Sequence, residues 1–168
     1  LASLVKRALG FGADAKLKVK GFDDLLVYRA KCCNPIRGED VIGYVTRGKG
    51  VAVHSKNCSN VQNLMYDAAR KIEVEWAGAS TTAEAYAVSL TISAENRTGM
   101  LADIAASVAD VGSNIVNADA RTDSDGATID LVVEIPDMKH LERVIASLKR
   151  IEGVFDVTRS MQIGRAHV

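Results

Sequence analysis

The sequence predicts an α+β fold in two parts, a small mixed-sheet domain followed by a domain of order β, α, β, β, α, β. Three observations carry this: a change of composition near the middle, period-two apolar runs separated by helical stripes in the second half, and closely spaced glycines in the first. The 168 residues, 48% hydrophobic and 25% charged, suffice for one ordinary core or two small ones. The break lies at Ala77 to Ala85 (AGASTTAEA), small and polar residues with no hydrophobic period. The expected divisions are therefore the end of a preceding helical region or linker at 1–20, a first domain at 21–77, a linker at 78–86 and a second domain at 87–163. The opening residue is Leu1, and Leu4, Val5, Ala8 and Leu9 read as the cut end of a longer amphipathic helix, whereas the patternless 164–168 (GRAHV) reads as a cloning remnant.

In the second half, Val88, Leu90, Ile92 and Ala94 alternate with polar residues, the pattern of a strand with one buried face. Leu101, Ile104, Ala105, Val108 and Val111 then follow helical spacing, with Thr98 placed to cap the start and Gly112 just past the end. Val116, Ala118 and Ala120 alternate again, Asp125-Gly126 marks a hairpin, and Ile129, Leu131, Val133 and Ile135 form its return strand. Pro136 stops that strand, Asp137 can cap a second helix striped by Leu141, Val144, Ile145 and Leu148, and a last strand passes through Phe155 and Val157. This order is that of a ferredoxin-like split βαβ domain, both helices on one face of the sheet.

In the first half, Gly38, Gly43, Gly48 and Gly50 divide short strands at Leu25 to Ala30, Val41 to Thr46 and Val51 to His54, ahead of a short helix at Cys58 to Leu64 and a strand at Lys71 to Trp76. Three cysteines, two of them adjacent, are a poor disulfide framework. Cys32, Cys33, His54 and Cys58 together offer tetrahedral zinc ligands, and His-x3-Cys is a spacing such a site can use. Adjacent residues on a strand point to opposite faces, so both thiolates would reach one ion only through a kink. A small core with cysteines buried as apolar side chains stands beside the zinc reading.

Charge divides unevenly: residues 1–66 hold 11 Lys or Arg against 5 Asp or Glu, and residues 67–168 hold 10 against 16. Arg29, Lys31, Arg37, Arg47, Lys49 and Lys56, interleaved with Tyr44 and His54, could meet phosphates and stack on a base of RNA, or form an ordinary solvated face. The loop Ala94 to Met100 puts Gly99 at a helix start, where free N–H groups suit a carboxylate, or serves only as a tight turn. Enzyme motifs are missing: there is no Walker loop, GxSxG elbow or HExxH pair. No run approaches the roughly 18 to 20 apolar residues of a membrane span, which points to a cytoplasmic chain with no membrane partner.

The run LLVYRAKCCNPIRGEDVIGYVTRGKGVAVHSKNCSNV, from Leu25 to Val61, resembles the C-terminal region of the long RelA/SpoT homologues, bifunctional (p)ppGpp synthetases and hydrolases of the bacterial stringent response. Its marks are AKCCNP at Ala30 to Pro35, the glycine frame from Gly43 to His54, and Cys58. The resemblance implies a zinc-finger-like RIS domain followed by an ACT domain over Gly21 to Ile163. Asn57 stands where the family usually has an acidic residue, and Pro35-Ile36-Arg37-Gly38 where it usually reads PxPG.

The resemblance further implies a non-catalytic regulatory fragment whose parent is a GTP pyrophosphokinase and (p)ppGpp 3′-pyrophosphohydrolase. Its implied partners are the ribosome, through ribosomal RNA in the context of uncharged tRNA, and the N-terminal catalytic domains. The alternative is a sensor of amino acids, branched-chain ones in particular, and a homodimerisation module working without the ribosome. Its implied ligand residues are Asn96, Gly99, Met100, Leu101, Asn114 and Ile115. No cofactor follows of necessity, and zinc is the one that the three thiols and the imidazole could hold.

Overall fold

The computed structural model describes residues 17–22, 25–48, 50–64, 68–78 and 85–161. The helix expected at the start, Lys49, most of the linker and the tail 164–168 lie outside the described residues. Two compact units divide the chain, one drawn mainly from its first half and the other from Ile36–Gly38 and Ala83–Ser160.

The first unit holds a four-stranded sheet of order β2-β4-β3-β5. Its strands are β2 (Val27–Arg29), β3 (Val41–Thr46), β4 (Gly50–Ser55) and β5 (Lys71–Ile72). The hairpin β3–β4 is antiparallel, and β2 lies parallel to β4. A helix α1 (Ser59–Leu64) follows β4. The single strand expected at Lys71 to Trp76 is two: β5 pairs with β3, and β6 (Val74–Trp76) pairs with β1 (Leu17–Val19) in a separate two-stranded sheet. Leu17–Val19, expected in a helical region or linker, is thus a strand, because Leu17 and Val19 alternate with exposed Lys18 and bury against Val27, Val51, Val53 and Val74. Gly43 permits this packing: a Cβ there would stand 2.5 Å from a methyl of Val74 and 2.8 Å from one of Val51.

In the second unit the strands are β7 (Tyr86–Ala94), β8 (Ile115–Asp123), β9 (Gly126–Ile135) and β10 (Val154–Arg159), in the order β10-β7-β9-β8. The helices are α2 (Met100–Asp110) and α3 (Met138–Lys149). The β, α, β, β, α, β order read from the sequence is the one observed. Val88, Leu90, Ile92, Ile129, Leu131, Val133 and Ile135 are buried along one face of β7 and β9, and Leu141, Val144 and Leu148 of α3 are buried with them. Asp137 caps α3 by accepting from the His140 N–H at 2.8 Å.

Three local expectations change. The helix α2 is capped by Gly99 at φ 82 rather than by Thr98, and no side chain bonds its free N–H groups. Its buried stripe is Met100, Ile104 and Val108, while Leu101 is 49% exposed, so the stripe is rotated from the one expected. Ala118 and Ala120 pair with buried Leu131 and Ile129 yet are exposed, as befits β8, one of the two edge strands of the sheet.

Leu131→Ala should cost about 2–5 kcal/mol, whereas Ala118→Ser on the edge should stay within about 0.5 kcal/mol. Chemical denaturation followed by circular dichroism measures both. Equal effects would contradict the core assigned here.

Candidate metal centre

The strand β2 does not carry the adjacent cysteines. Ala30 still bonds to β4 through its N–H to the Val53 carbonyl at 2.8 Å, and the chain then turns, with the Asn34 N–H reaching the Ala30 carbonyl at 2.8 Å. Asn34 takes the left-handed conformation, φ 42, which asparagine tolerates better than most residues. Lys31, Cys32 and Cys33 lie in this turn. The period-two rule that would send the two thiols to opposite faces therefore does not apply.

The other two ligand candidates follow from β4. His54 is its penultimate residue, and a turn closed by the Cys58 N–H on the Ser55 carbonyl at 3.0 Å brings Cys58 to the head of α1. Cys32 Sγ lies 3.3 Å from His54 Nδ1 and 3.6 Å from Cys58 Sγ. Cys33 Sγ lies 4.0 Å from Cys32 Sγ and 3.9 Å from His54 Nδ1. All four ligand atoms fall within 4.8 Å of one another. A tetrahedral zinc ion, with Zn–S about 2.3 Å and Zn–N about 2.1 Å, holds its sulfurs about 3.8 Å apart and sulfur from nitrogen about 3.6 Å apart. The donor set is the right size and softness for such an ion.

Burial leaves the donor groups at Cys32, Cys33 and His54 uncharged while no ion is bound. Burial pushes the Cys32 and Cys33 thiols up, so without an ion both hold their protons. Burial lowers the pKa of His54, leaving its ring neutral and ready to ligate. The Ser55 N–H donates to Cys33 Sγ at 3.3 Å, a contact that stabilises a thiolate. No disulfide joins the three cysteines.

The residues read as an RNA surface are not gathered into one patch. Tyr44 is 4% and His54 7% exposed, packed edge to face with ring centroids 6.0 Å apart, so neither ring offers a face for a base. Exposed Lys31 and Lys56 lie in the two turns that carry the cysteines, whereas Arg47 lies in the β3–β4 turn at the other end of that hairpin, about 15–20 Å away at strand rise. Arg29 is half-buried, with its guanidinium donating to the Pro35 carbonyl at 3.4 Å, and Arg37 is half-buried.

The residues read as an amino-acid site divide likewise. Exposed Asn96, Gly99, buried Met100 and exposed Leu101 stand at the start of α2, whereas Asn114 and Ile115 follow its end. The eleven-residue helix separates the two groups by about 16 Å. The Asn114 side-chain amide donates to Glu134 at 3.3 Å.

Residues 17–77 match the model of the RelA/SpoT RIS domain, and residues 82–159 that of the ACT domain. A GTP pyrophosphokinase of Streptomyces coelicolor is 39% identical over 148 residues, 88% of this chain and 17% of that protein. The bifunctional (p)ppGpp synthase/hydrolase RelA of Mycobacterium tuberculosis is 36% identical over 147 residues, 87% of this chain and 20% of its own length. The chain thus spans about a fifth of the curated relatives it matches. The solved ACT domain of a Chlorobium tepidum GTP pyrophosphokinase is 21% identical with a TM-score of 0.42, covering 45% of this chain and 99% of that domain.

The chain should bind one zinc ion, and Cys58→Ser or His54→Ala should weaken binding by more than about a hundredfold, beyond the range typical of outer-shell changes. Competition with a chromophoric chelator measures this. In the metal-free chain, His54 binds its proton less readily folded than unfolded, so stability should decline as pH falls below the ordinary value of 6.5. Cys32 and Cys33 release theirs less readily folded than unfolded, so stability should also decline as pH rises past the ordinary thiol value of 9.0. Zinc should abolish the alkaline decline, since its ligands are already deprotonated. Denaturation of chelator-treated and zinc-loaded chain from roughly pH 5 to 10 tests the signs.

Proposed function

We propose, from the premise that this chain belongs to the RelA/SpoT family and carries its RIS domain ahead of an ACT domain, that it governs the synthetase and hydrolase activities of a longer (p)ppGpp enzyme. In this reading the first unit docks on ribosomal RNA and reports amino-acid starvation to the catalytic domains. The observation that carries it is the pairing of the RIS match with the two cysteine-bearing turns, each of which displays an exposed lysine, Lys31 and Lys56. A metal holding both turns would fix the spacing of these two cations, which suits phosphates on a rigid RNA. The proposed docking groups narrow accordingly to the lysines, with Tyr44 and His54 serving the interior. No helix among the described residues is long and apolar enough to cross a membrane.

A second reading, amino-acid binding by the ACT domain, draws on the separation of its two residue groups along α2. Two copies meeting along exposed β8 could bring the Gly99 end of one chain toward the Asn114 end of the other, whereas one copy alone cannot. Such a site would respond to ligand by mass action and would require a dimer.

Co-sedimentation with purified ribosomes over a salt series tests the first reading. Lys31→Ala with Lys56→Ala should weaken binding and reduce the salt slope by about 1–2, while Arg47→Ala should change neither as strongly. Absence of binding at low salt would reject ribosomal docking by this chain. Thermal stability with valine, leucine or isoleucine, followed alongside sedimentation, tests the second reading. An unchanged melting temperature in a chain that stays monomeric would reject it.

A further inference from the structure

The second unit includes Ile36–Gly38, a stretch that follows the cysteine turn in sequence, together with Ala83–Ser160. Only Asn34 and Pro35 stand between this stretch and the ligand candidate Cys33. Ile36 is fully buried, at 0% exposure. The Arg37 carbonyl accepts the Met138 N–H at 2.8 Å, and Met138 is the first residue of α3. That N–H is one of the donors that a helix start leaves without an intrahelical acceptor, and the Asp137 side chain serves a different one, the N–H of His140. Gly38 adopts φ 93, and a Cβ there would stand 3.3 Å from the Met138 Cβ, so the stretch lies against the helix start closely enough to call for glycine.

The chain between ligand and helix has little slack. The Asn34 N–H is bonded to the Ala30 carbonyl at 2.8 Å, the φ of Pro35 is fixed by its ring, and the Pro35 carbonyl accepts from Arg29 at 3.4 Å. Every residue from Asn34 to Gly38 is thus held by a hydrogen bond, a ring, burial or a close backbone approach. A shift of the Cys32–Cys33 turn cannot be absorbed by free torsions along the way, so it reaches the far end at Met138.

We propose that Ile36–Gly38 is a strap through which the metal centre and the first turn of α3 stabilise one another. The inference rests on the metal reading of Cys32, Cys33, His54 and Cys58. An ion that fixes the Cys32–Cys33 turn holds the strap in its docked arrangement, in which the Met138 N–H has its acceptor. Loss of the ion loosens the turn, the strap leaves, and the helix start frays with that N–H returned to water. Linkage is reciprocal, so a docked strap presets two thiols for the ion, and undocking it at α3 weakens binding at ligands that α3 does not touch. The second unit thereby registers occupancy of the metal centre.

The test uses the whole 168-residue chain with zinc as the probe. Proline is well tolerated at the first position of a helix, and Asp137 before it is already extended at φ −160 and ψ 173, so Met138→Pro removes the strap's donor and keeps α3. Its zinc affinity, measured by competition with a chromophoric chelator, should fall at least about fivefold, the lower end of ordinary coupling, with an unchanged far-ultraviolet spectrum. Met138→Ala, which keeps the N–H, should bind zinc as the wild type does. In the wild type, amide exchange followed by NMR should quicken at Met138 by a similar factor when zinc is stripped, and stay unchanged at Leu131 in the sheet of the same unit. That measurement decides alone if Met138→Pro does not fold. Unchanged affinity in a folded Met138→Pro, or Met138 exchange indifferent to zinc, overturns the strap and leaves the metal centre standing. Failure of the wild type to bind zinc overturns the metal centre itself, and the inference with it.

Discussion

Two neighbouring residues can present both side chains to one point only if the backbone turns between strands, and the first unit is arranged around that constraint. The Lys31 to Asn34 turn supplies two thiols, the end of β4 supplies an imidazole, and the turn into α1 supplies the third sulfur. Each comes from a different local structure. What joins them is the parallel pairing of β2 with β4, which sets the cysteine turn beside His54. A chelating ion would close the same link a second time.

Such a closure matters because the buried clusters described in this unit are small. Among the described residues its apolar interior falls into two small clusters, one around Val27, Val51, Val53 and Val74, the other around Cys33, Ile42, Tyr44, Cys58 and Val61. Small domains have an unfavourable ratio of surface to interior and commonly add a metal or disulfides. The second cluster contains two of the metal-ligand candidates, so loading the centre would couple directly to packing. In the second unit Leu90, Ile92, Leu131 and Val133 on the strands and Ile104, Leu141 and Leu148 on the helices are all buried, which supplies a larger apolar interior.

The structure also redistributes charge. The basic residues that look contiguous along the chain are separated by the length of the β3–β4 hairpin, and the two aromatic groups among them are interior. Lys31 and Lys56 remain because they flank ligand residues in sequence and are exposed. Under the proposed function, metal centre and docking surface would be two faces of the same turns. Their coupling would let a regulatory contact depend on the integrity of the site.

The sequence by itself determined the second unit almost completely. Alternation along β7 and β9, the Asp125-Gly126 hairpin and the Asp137 cap are local signals, and local signals fix elements within a few residues of themselves. It also determined the ligand types at Cys32, Cys33, His54 and Cys58, since side-chain chemistry needs no fold. Their convergence was decided only in three dimensions, because the turn that defeats strand alternation depends on the Ala30 bond to Val53 across the sheet. The same holds for the strand at Leu17–Val19, whose partner lies at Val74–Trp76, and for Ile36–Gly38, whose membership of the second unit appears only in the folded chain. Period and composition are properties of a segment, whereas burial and partnership belong to the whole chain.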